Sequence, residues 1–514
     1  MALLASLLRS EKRPVFLEIR SSAGLIVTTA SFATFTDVFL YAVIVPVLPF
    51  SLSSRAGVAE DQVQYWISIS LAVYGAALLA SSRTCYEPSH HVEQLPTDLS
   101  SRAAAIWGYL ADRIRNRKIP MLIGLIFLTG STVFLCLATN IAMLLVGRAL
   151  QGCSAALTWT VGLALVVDSV DASQLGMATG WVGMATSLGV LLAPLLGGLV
   201  YEHGGYYSVF AMCFGILAVD IALRIAIIEV KESKRWIDKT PVQSATETSG
   251  AIEDVVTKTG DDAVQRLGKD NTMTEMSEEA TPTHNQPPPA SKHNHVIGPL
   301  IGLLRKPRLL AALWGTLVHA IIQTSFDSTL PLFVKSTFHW DSTGAGLAFL
   351  PLVAPCFISP LIGIMNDKYG PKWLATSGFI IATPFLICLR FVSEDSINHK
   401  IMMCGLLVGV GLAVALVFGP LMAEISWSAV DGMDPTQDDM SAVPYAQAYG
   451  LYNMAFSGGC MLGPILGGLI RDRAGWPTVC WVLGLITAAS TITQALWIGG
   501  PLKLKLPGRA GESS

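Results

Sequence analysis

The chain has 514 residues, of which 52% are hydrophobic and 14% charged; an ordinary soluble domain carries about 25% charged residues. With a mean hydropathy of +0.53, so much apolar sequence has no place in a soluble fold, and a net charge of −3 excludes the basic footprint of a nucleic-acid binder. The nine cysteines are scattered, mostly inside apolar runs, and form neither a disulfide framework nor a paired CxxC metal site, so no metal or cofactor is expected. Residues 1–20 are charged, and no cleavable signal peptide is expected ahead of the first long apolar run.

A bilayer core requires about 20 apolar residues per helix. After an N-terminal tail (1–23), runs of that kind lie at 24–50, 64–82, 119–139, 141–167, 176–200 and 206–229. A polar gap follows, and six more runs lie at 309–332, 344–364, 373–392, 401–427, 446–470 and 477–499. The expectation is an all-α membrane protein with six spans in residues 24–229, six in 301–499 and a short tail at 500–514. The gap, 230–300, is rich in Lys, Glu, Asp, Thr and Ser and contains Gln286-Pro287-Pro288-Pro289. Such a segment buries too little apolar surface to fold alone and reads as a disordered linker.

Lys and Arg set the orientation, because they accumulate on the cytoplasmic side. Placing the N-terminus inside puts Arg9, Lys12, Arg13, Arg20, the Arg113–Lys118 cluster, Arg305, Lys306, Arg308, Lys368, Lys372, Lys503, Lys505 and Arg509 on one face. The other face receives few: Arg55, Lys335, Lys400, Arg471 and Arg473, with Arg390 near a helix end. Both termini are therefore expected in the cytoplasm.

Two local patterns repeat. Gly108-Tyr-Leu-Ala-Asp112-Arg113 follows the second run, and Gly363-Ile-Met-Asn-Asp367-Lys368 follows the eighth. The fifth run carries Gly180, Gly189, Ala193-Pro194 and Gly197-Gly198; the eleventh carries Gly450, Gly459, Gly463-Pro464 and Gly467-Gly468 at the same spacing. Two six-helix halves of common ancestry are the economical explanation. The repeat also exposes an excess in the first half, a polar stretch at 83–104 between apolar neighbours; joining Ser82 to Ala105 would restore an uninterrupted run into Gly108. Three readings are open for it: a retained intron, a genuine loop insertion, or a functional element. Cys85, His90 and His91 lie in it, but no second ligand pair has metal spacing.

These patterns resemble the major facilitator superfamily, and more narrowly its twelve-helix drug:proton antiporters near the vesicular amine transporter branch. The resemblance implies twelve transmembrane helices in two pseudo-symmetric halves. It also implies a cytoplasmic gating loop at Gly108, Asp112 and Arg113, repeated at Gly363, Asp367 and Lys368, and an antiporter motif in the Gly/Pro patterns of helices 5 and 11. Gly189, Ala193 and Gly197 fall on one helix face, where small residues admit a close neighbour, and Pro194 bends the helix by removing a hydrogen bond.

Charges inside a span cost about 2.5–3.5 kcal/mol on insertion scales and are functional hypotheses by default. Asp37 sits mid-helix 1, where the resemblance implies binding of a cationic substrate or a proton. Arg148, in Gly147-Arg148-Ala-Leu-Gln151-Gly152, resembles the family's helix 4 arginine linked to proton coupling. A buried arginine needs a carboxylate partner, and Asp37 is a candidate. Asp327 lies near the outer end of helix 7, within reach of interfacial water. Glu424 matches an acidic position of the amine-transporter branch. Asn453 stands where that branch has an aspartate, and an uncharged Asn takes up no proton. Asp220 and Arg224, four apart in helix 6, are expected to pair with each other, and His319 and Gln323 are candidates for lining the cavity.

The expected function is a proton-coupled antiporter, acting as a monomer in the bilayer, that exports or sequesters a small amphipathic drug, toxin or secondary metabolite by alternating access. The plasma membrane is the expected location, with a vacuolar or vesicular membrane as alternatives. A proton symporter, a vesicular amine transporter and a transport-inactive sensor are the competing readings. No nucleophile–base pair, metal cluster or phosphate loop supports an enzyme.

Overall fold

The computed structural model describes residues 16–84, 118–170, 175–228, 305–430 and 445–499. The linker, the 83–104 stretch beyond Thr84, the loop carrying Gly108, Asp112 and Arg113, and both tails lie outside the described residues. Within the rest, α1 (Ala23–Ala42) starts where the Ser22 side chain accepts a hydrogen bond from the Leu25 N–H, supplying one of the partners that a helix start lacks. A short helix (Leu48–Ala56) follows and ends at Gly57, in the left-handed region. Next come α2 (Val63–Thr84), α3 (Lys118–Cys136) and α4 (Ile141–Ser169), the last capped by Asn140, which accepts from Met143 N–H at 2.9 Å. Helices α5 and α6 occupy one run, Leu175–Ala226, folded at Gly205 with φ 75°.

The second half follows the same course. It comprises α7 (Pro307–Phe338), a segmented α8 described below, α9 (Pro371–Cys388), α10 (Ile397–Val430), and α11 with α12 in the run Tyr445–Trp497, folded at Gly475 with φ 78°. Gly205 and Gly475 adopt φ, ψ pairs that a side chain would not tolerate, so each glycine permits the tight reversal between two spans. Helix α8 runs as Ser342–Leu347, Leu350–Val353, a 3-10 turn at Ala354–Ile358 and Ser359–Tyr369. Pro351, Pro355 and Pro360 each remove a backbone donor and break it. Among the described residues, nine stretches are long and apolar enough to cross a membrane, two of them the bent double runs, and Pro120–Cys136 is a shorter apolar helix. Taking each bent run as two passes, this set accommodates twelve.

The two halves repeat contact by contact. Gly189 of α5 faces the Phe35 carbonyl and Val38 of α1; Gly459 of α11 faces the Leu317 carbonyl and Ala320 of α7. Gly197 meets Val43, and Gly467 meets Ser325. Across the halves, Gly198 abuts Ser342 of α8, and Gly468 abuts Ser68 of α2. Gly124 of α3 packs on Ser154 and Leu157 of α4, and Gly378 of α9 packs on Ala413 and Leu416 of α10. One register therefore relates the helices of the two halves, and the Gly/Pro patterns mark the seams where backbones meet.

Among the described residues, the seam between α5 and α8 is closed at its distal end. At the distal end, opposite the one where the chain enters α1 and α7, Ser342 Oγ donates to the Gly198 carbonyl at 3.0 Å, and Gly346 abuts Pro194. A cross-half network lies beside it. Gln64 of α2 donates to the Ser328 carbonyl at 3.0 Å, Arg471 of α11 bonds Gln64 and Ser336 of α7, and Lys335 Nζ donates to the Pro49 carbonyl at 2.7 Å. Towards the proximal end, Gly180 and Gly183 of α5 and Gly363 of α8 face nothing within 4 Å among the described residues. Trp181 and Met184 of α5, and Leu361 and Ile364 of α8, are exposed there. Helices α2 and α11, in contrast, stay linked near the proximal end, where Asn453 Nδ2 donates to Ser82 Oγ at 2.9 Å.

Inside the first half, Arg224 donates from Nε and Nη2 to the two Asp220 oxygens at 3.0 and 2.7 Å, and from Nη1 to the Met121 carbonyl of α3 at 2.8 Å. Both side chains are buried. Asp220→Ala leaves a buried guanidinium unpaired and is expected to cost about 3–5 kcal/mol, with Asp220→Ala/Arg224→Met recovering much of the loss in thermal unfolding of the detergent-purified protein. Overpacking the α5–α1 contact by Gly197→Val is expected to cost about 1–3 kcal/mol. Gly180→Val, at an unopposed position, should leave the melting temperature within about 1 °C, a contrast that would vanish were α5 packed along its whole length.

Candidate functional site

Near the middle of the bundle, one turn of α1 carries two polar side chains on the same face, Asp37 and Tyr41. The Tyr41 hydroxyl donates to Asp327 Oδ2 of α7 at 3.1 Å, a hydrogen bond between the halves. Its ring lies 4.5 Å from that of Tyr74 on α2 and 5.5 Å beneath the Arg148 guanidinium of α4. Arg148 is fully buried and donates from Nη1 to Gln151 Oε1 at 2.9 Å and to the Tyr41 carbonyl at 3.3 Å; its Nε and Nη2 have no partner among the described residues. Asp327, Tyr74 and Cys460 of α11 complete this group. A cation, a carboxylate and two phenols thus meet at the contact between α1, α2, α4, α7 and α11.

Asp37 is set apart from them. It is 1% exposed and forms no ion pair among the described residues, with the Trp159 indole of α4 the polar group that approaches it. The groups that face it are Trp159 of α4, Tyr74, and the Asp220–Arg224 pair of α6. The expected Asp37–Arg148 pairing is therefore corrected: Arg148 is turned towards Tyr41 and Asp327, and the arginine on the Asp37 side is Arg224, already occupied by Asp220. Asp327 is half-buried and bonded to Tyr41 rather than turned to interfacial water.

Glu424 lies away from this centre, at the proximal end. It is buried in α10, ion-paired with Arg308 at the start of α7 through both oxygens, and accepts the Gly499 N–H at 2.9 Å. Lys306 donates to the Ser428 carbonyl at 2.9 Å beside it. This arrangement ties the ends of α7, α10 and α12 together. Asn453 is likewise proximal and is engaged by Ser82. Of the second gating loop, Gly363 lies in α8 and Lys368 Nζ sits 5.2 Å from the Tyr369 ring; the Asp367 side chain lies outside the described residues. Gly180, Gly189, Pro194, Gly197, Gly198, Gly459, Gly463, Pro464, Gly467 and Gly468 line the α5 and α11 faces already described. Among the described residues no three His, Cys, Asp or Glu side chains gather as metal ligands.

Sequence reasoning missed Tyr41, Gln151 and Gln64. Tyr41 was accessible to it, since it follows Asp37 by one helical turn. Gln64 carried no such signal, because its partners lie on α7 and α11.

The Major Facilitator Superfamily family model matches residues 101–429 and 312–513. The chain is 34% identical over 479 residues to the MFS-type transporter C18.02 of Schizosaccharomyces pombe, covering 92% of this chain and 95% of that one. It is 30% identical over 481 residues to the MFS-type transporter ppzB of Metarhizium majus, covering 90% and 98%. Similarity to the chromaffin granule amine transporter of Rattus norvegicus is lower, 24% over 383 residues, covering 74% of this chain and 60% of that protein. The fold is also that of a bacterial homologue of the human lysosomal transporter Spinster, solved in an inward-facing and unoccupied conformation, with a TM-score of 0.56 at 16% identity over 92% of this chain and 94% of that one. The chain belongs to the Major Facilitator Superfamily, and is an integral multi-pass membrane transporter near the amine transporter branch, not an enzyme.

Proposed function

We propose that this transporter is a proton-coupled antiporter that exports or sequesters a small amphipathic organic compound by alternating access. The observation that carries the proposal is Asp37, a buried carboxylate with no ion-pair partner among the described residues. Uncompensated charge at that depth is costly, so the carboxylate needs either a bound proton or a cationic group from a substrate. The two exclude each other, and that exclusion is the coupling: a proton taken up from the acidic side expels the substrate, and deprotonation readies the site for the next. The Tyr41–Asp327 hydrogen bond joins the halves beside it, so the state of the centre bears on how the halves are held together.

Further support comes from the Gly/Pro faces of α5 and α11, the pattern that the family associates with exchange, and from amine transporters among the relatives, whose names describe carriage of amines. With both termini in the cytoplasm, as the Lys and Arg distribution favours, the splayed proximal end of the α5–α8 seam opens to the cytoplasm. The plasma membrane is the proposed location, with the chain acting as a monomer.

In proteoliposomes under an imposed pH gradient, a panel of fluorescent cationic and neutral compounds should be exchanged against protons. Asp37→Asn should reduce gradient-driven flux at least 100-fold while the protein stays folded by size exclusion. Movement of substrate in the same direction as the protons would replace this reading with symport. Tyr41→Phe removes a cross-half hydrogen bond worth about 0.6 kcal/mol in a membrane interior, which corresponds to about a threefold shift between conformations. Electron-paramagnetic distance distributions between spin labels on the two halves should record that shift; an unchanged distribution would show that the bond does not hold the halves.

A further inference from the structure

The register that relates the halves assigns a counterpart to each residue around Asp37. Matching Phe35 with Leu317 and Val43 with Ser325, as their contacts with α5 and α11 require, matches Asp37 with His319 of α7. Matching Ser154 with Ala413 and Leu157 with Leu416 on the same grounds matches Trp159 with Phe418 of α10. The second pair meets in space as the first does: the His319 and Phe418 rings are 5.5 Å apart and 35° from parallel. His319 is buried, 3% exposed, and its Nδ1 has no partner among the described residues. Phe418 covers it on one side while keeping 38% of its own surface open, and Gly419 beside it faces nothing within 4 Å among the described residues. Gln323, the counterpart of Tyr41, stands one turn further along α7 and is half-buried.

A lone imidazole inside a span is costly unless it serves a ligand or a partner, and structural packing would be met by an apolar side chain of the same volume. We propose that His319 and Phe418 form a second ligand subsite, the counterpart in the second half of Asp37 and Trp159. It takes a planar apolar ring against Phe418 and a hydrogen-bonding group on that ring at the imidazole. The subsite rests on the transport reading above and extends it: the substrate touches both halves at equal depth, one end answering the carboxylate of α1 and the other the imidazole of α7.

Two measurements on the full chain test it. His319→Cys and Ile321→Cys are compared for reaction with 2-aminoethyl methanethiosulfonate, read at each position by peptide mass spectrometry. Ile321 is as buried as His319, 4% exposed, but packs on α11 at Gly463. Position 319 should react at least tenfold faster and be protected by rhodamine 6G, a flat cation with ring N–H groups. Equal rates, or no protection, would overturn the subsite whether or not the dye is carried. In proteoliposomes, His319→Phe should raise the KM for rhodamine 6G about tenfold with kcat within about twofold, and His319→Gln should restore most of the affinity; a fall in kcat alone would also overturn it. Faster labelling and dye protection at 319, with no pH-driven exchange of the dye by the wild-type protein, would uphold the subsite and refute the antiporter reading.

Discussion

The bilayer core contains no water to solvate a polar group, so each buried donor, acceptor and charge must be answered inside the bundle. Most of this protein obeys. Arg224 is saturated by Asp220 and a carbonyl of α3, Glu424 by Arg308 and the Gly499 amide, and Gln64 by Arg471 and Ser328. Against that background Asp37 stands out as the carboxylate, beside Nε and Nη2 of Arg148 and Nδ1 of His319, that no such pair answers among the described residues. The sequence could pair it with a neighbouring cation, and two arginines lie in the same half, yet one is committed to Asp220 and the other to Tyr41 and Gln151. The surrounding polar network thus leaves this carboxylate without an ion-pair partner among the described residues.

The duplicated architecture divides labour between shape and chemistry. Small residues are kept at matching positions wherever backbones touch, so that Gly189, Gly197 and Gly198 in one half do what Gly459, Gly467 and Gly468 do in the other. Polar residues have diverged at matching positions: Asp37 faces a histidine counterpart, Tyr41 a glutamine, Arg224 the amide Gln494. Packing tolerates little change at such a close approach, since an added methyl at Gly189, Gly197 or Gly459 would crowd a carbonyl of the neighbouring helix.

Much of this was legible in the amino-acid order. Run lengths yielded the spans, and the spacing of Gly and Pro yielded the repeat, because both depend on periodicity along a single helix. The Asp220–Arg224 pair was equally legible, being one turn apart. What failed was the matching of side chains on different helices. Asp37 and Arg148 lie at compatible depths, but depth does not fix rotation about the helix axis, and α4 directs its arginine towards Tyr41. Glu424 was singled out by its match to an acidic position of the amine-transporter branch; its partner, Arg308, lies 116 residues away in sequence, and no local pattern announces it.

Helix α8 carries a mechanical consequence. Its counterpart α2 is continuous over its described residues, Val63–Thr84, whereas α8 is four short segments jointed at Pro351, Pro355 and Pro360. The upper segment is fastened to α5 and the lower one is not. Were the halves to tilt, the joints of α8 would take up a load more readily than the described stretch of α2. The two sides of the described bundle are thus alike in layout, while the proline joints give the α8 side more places to bend than α2 has within Val63–Thr84.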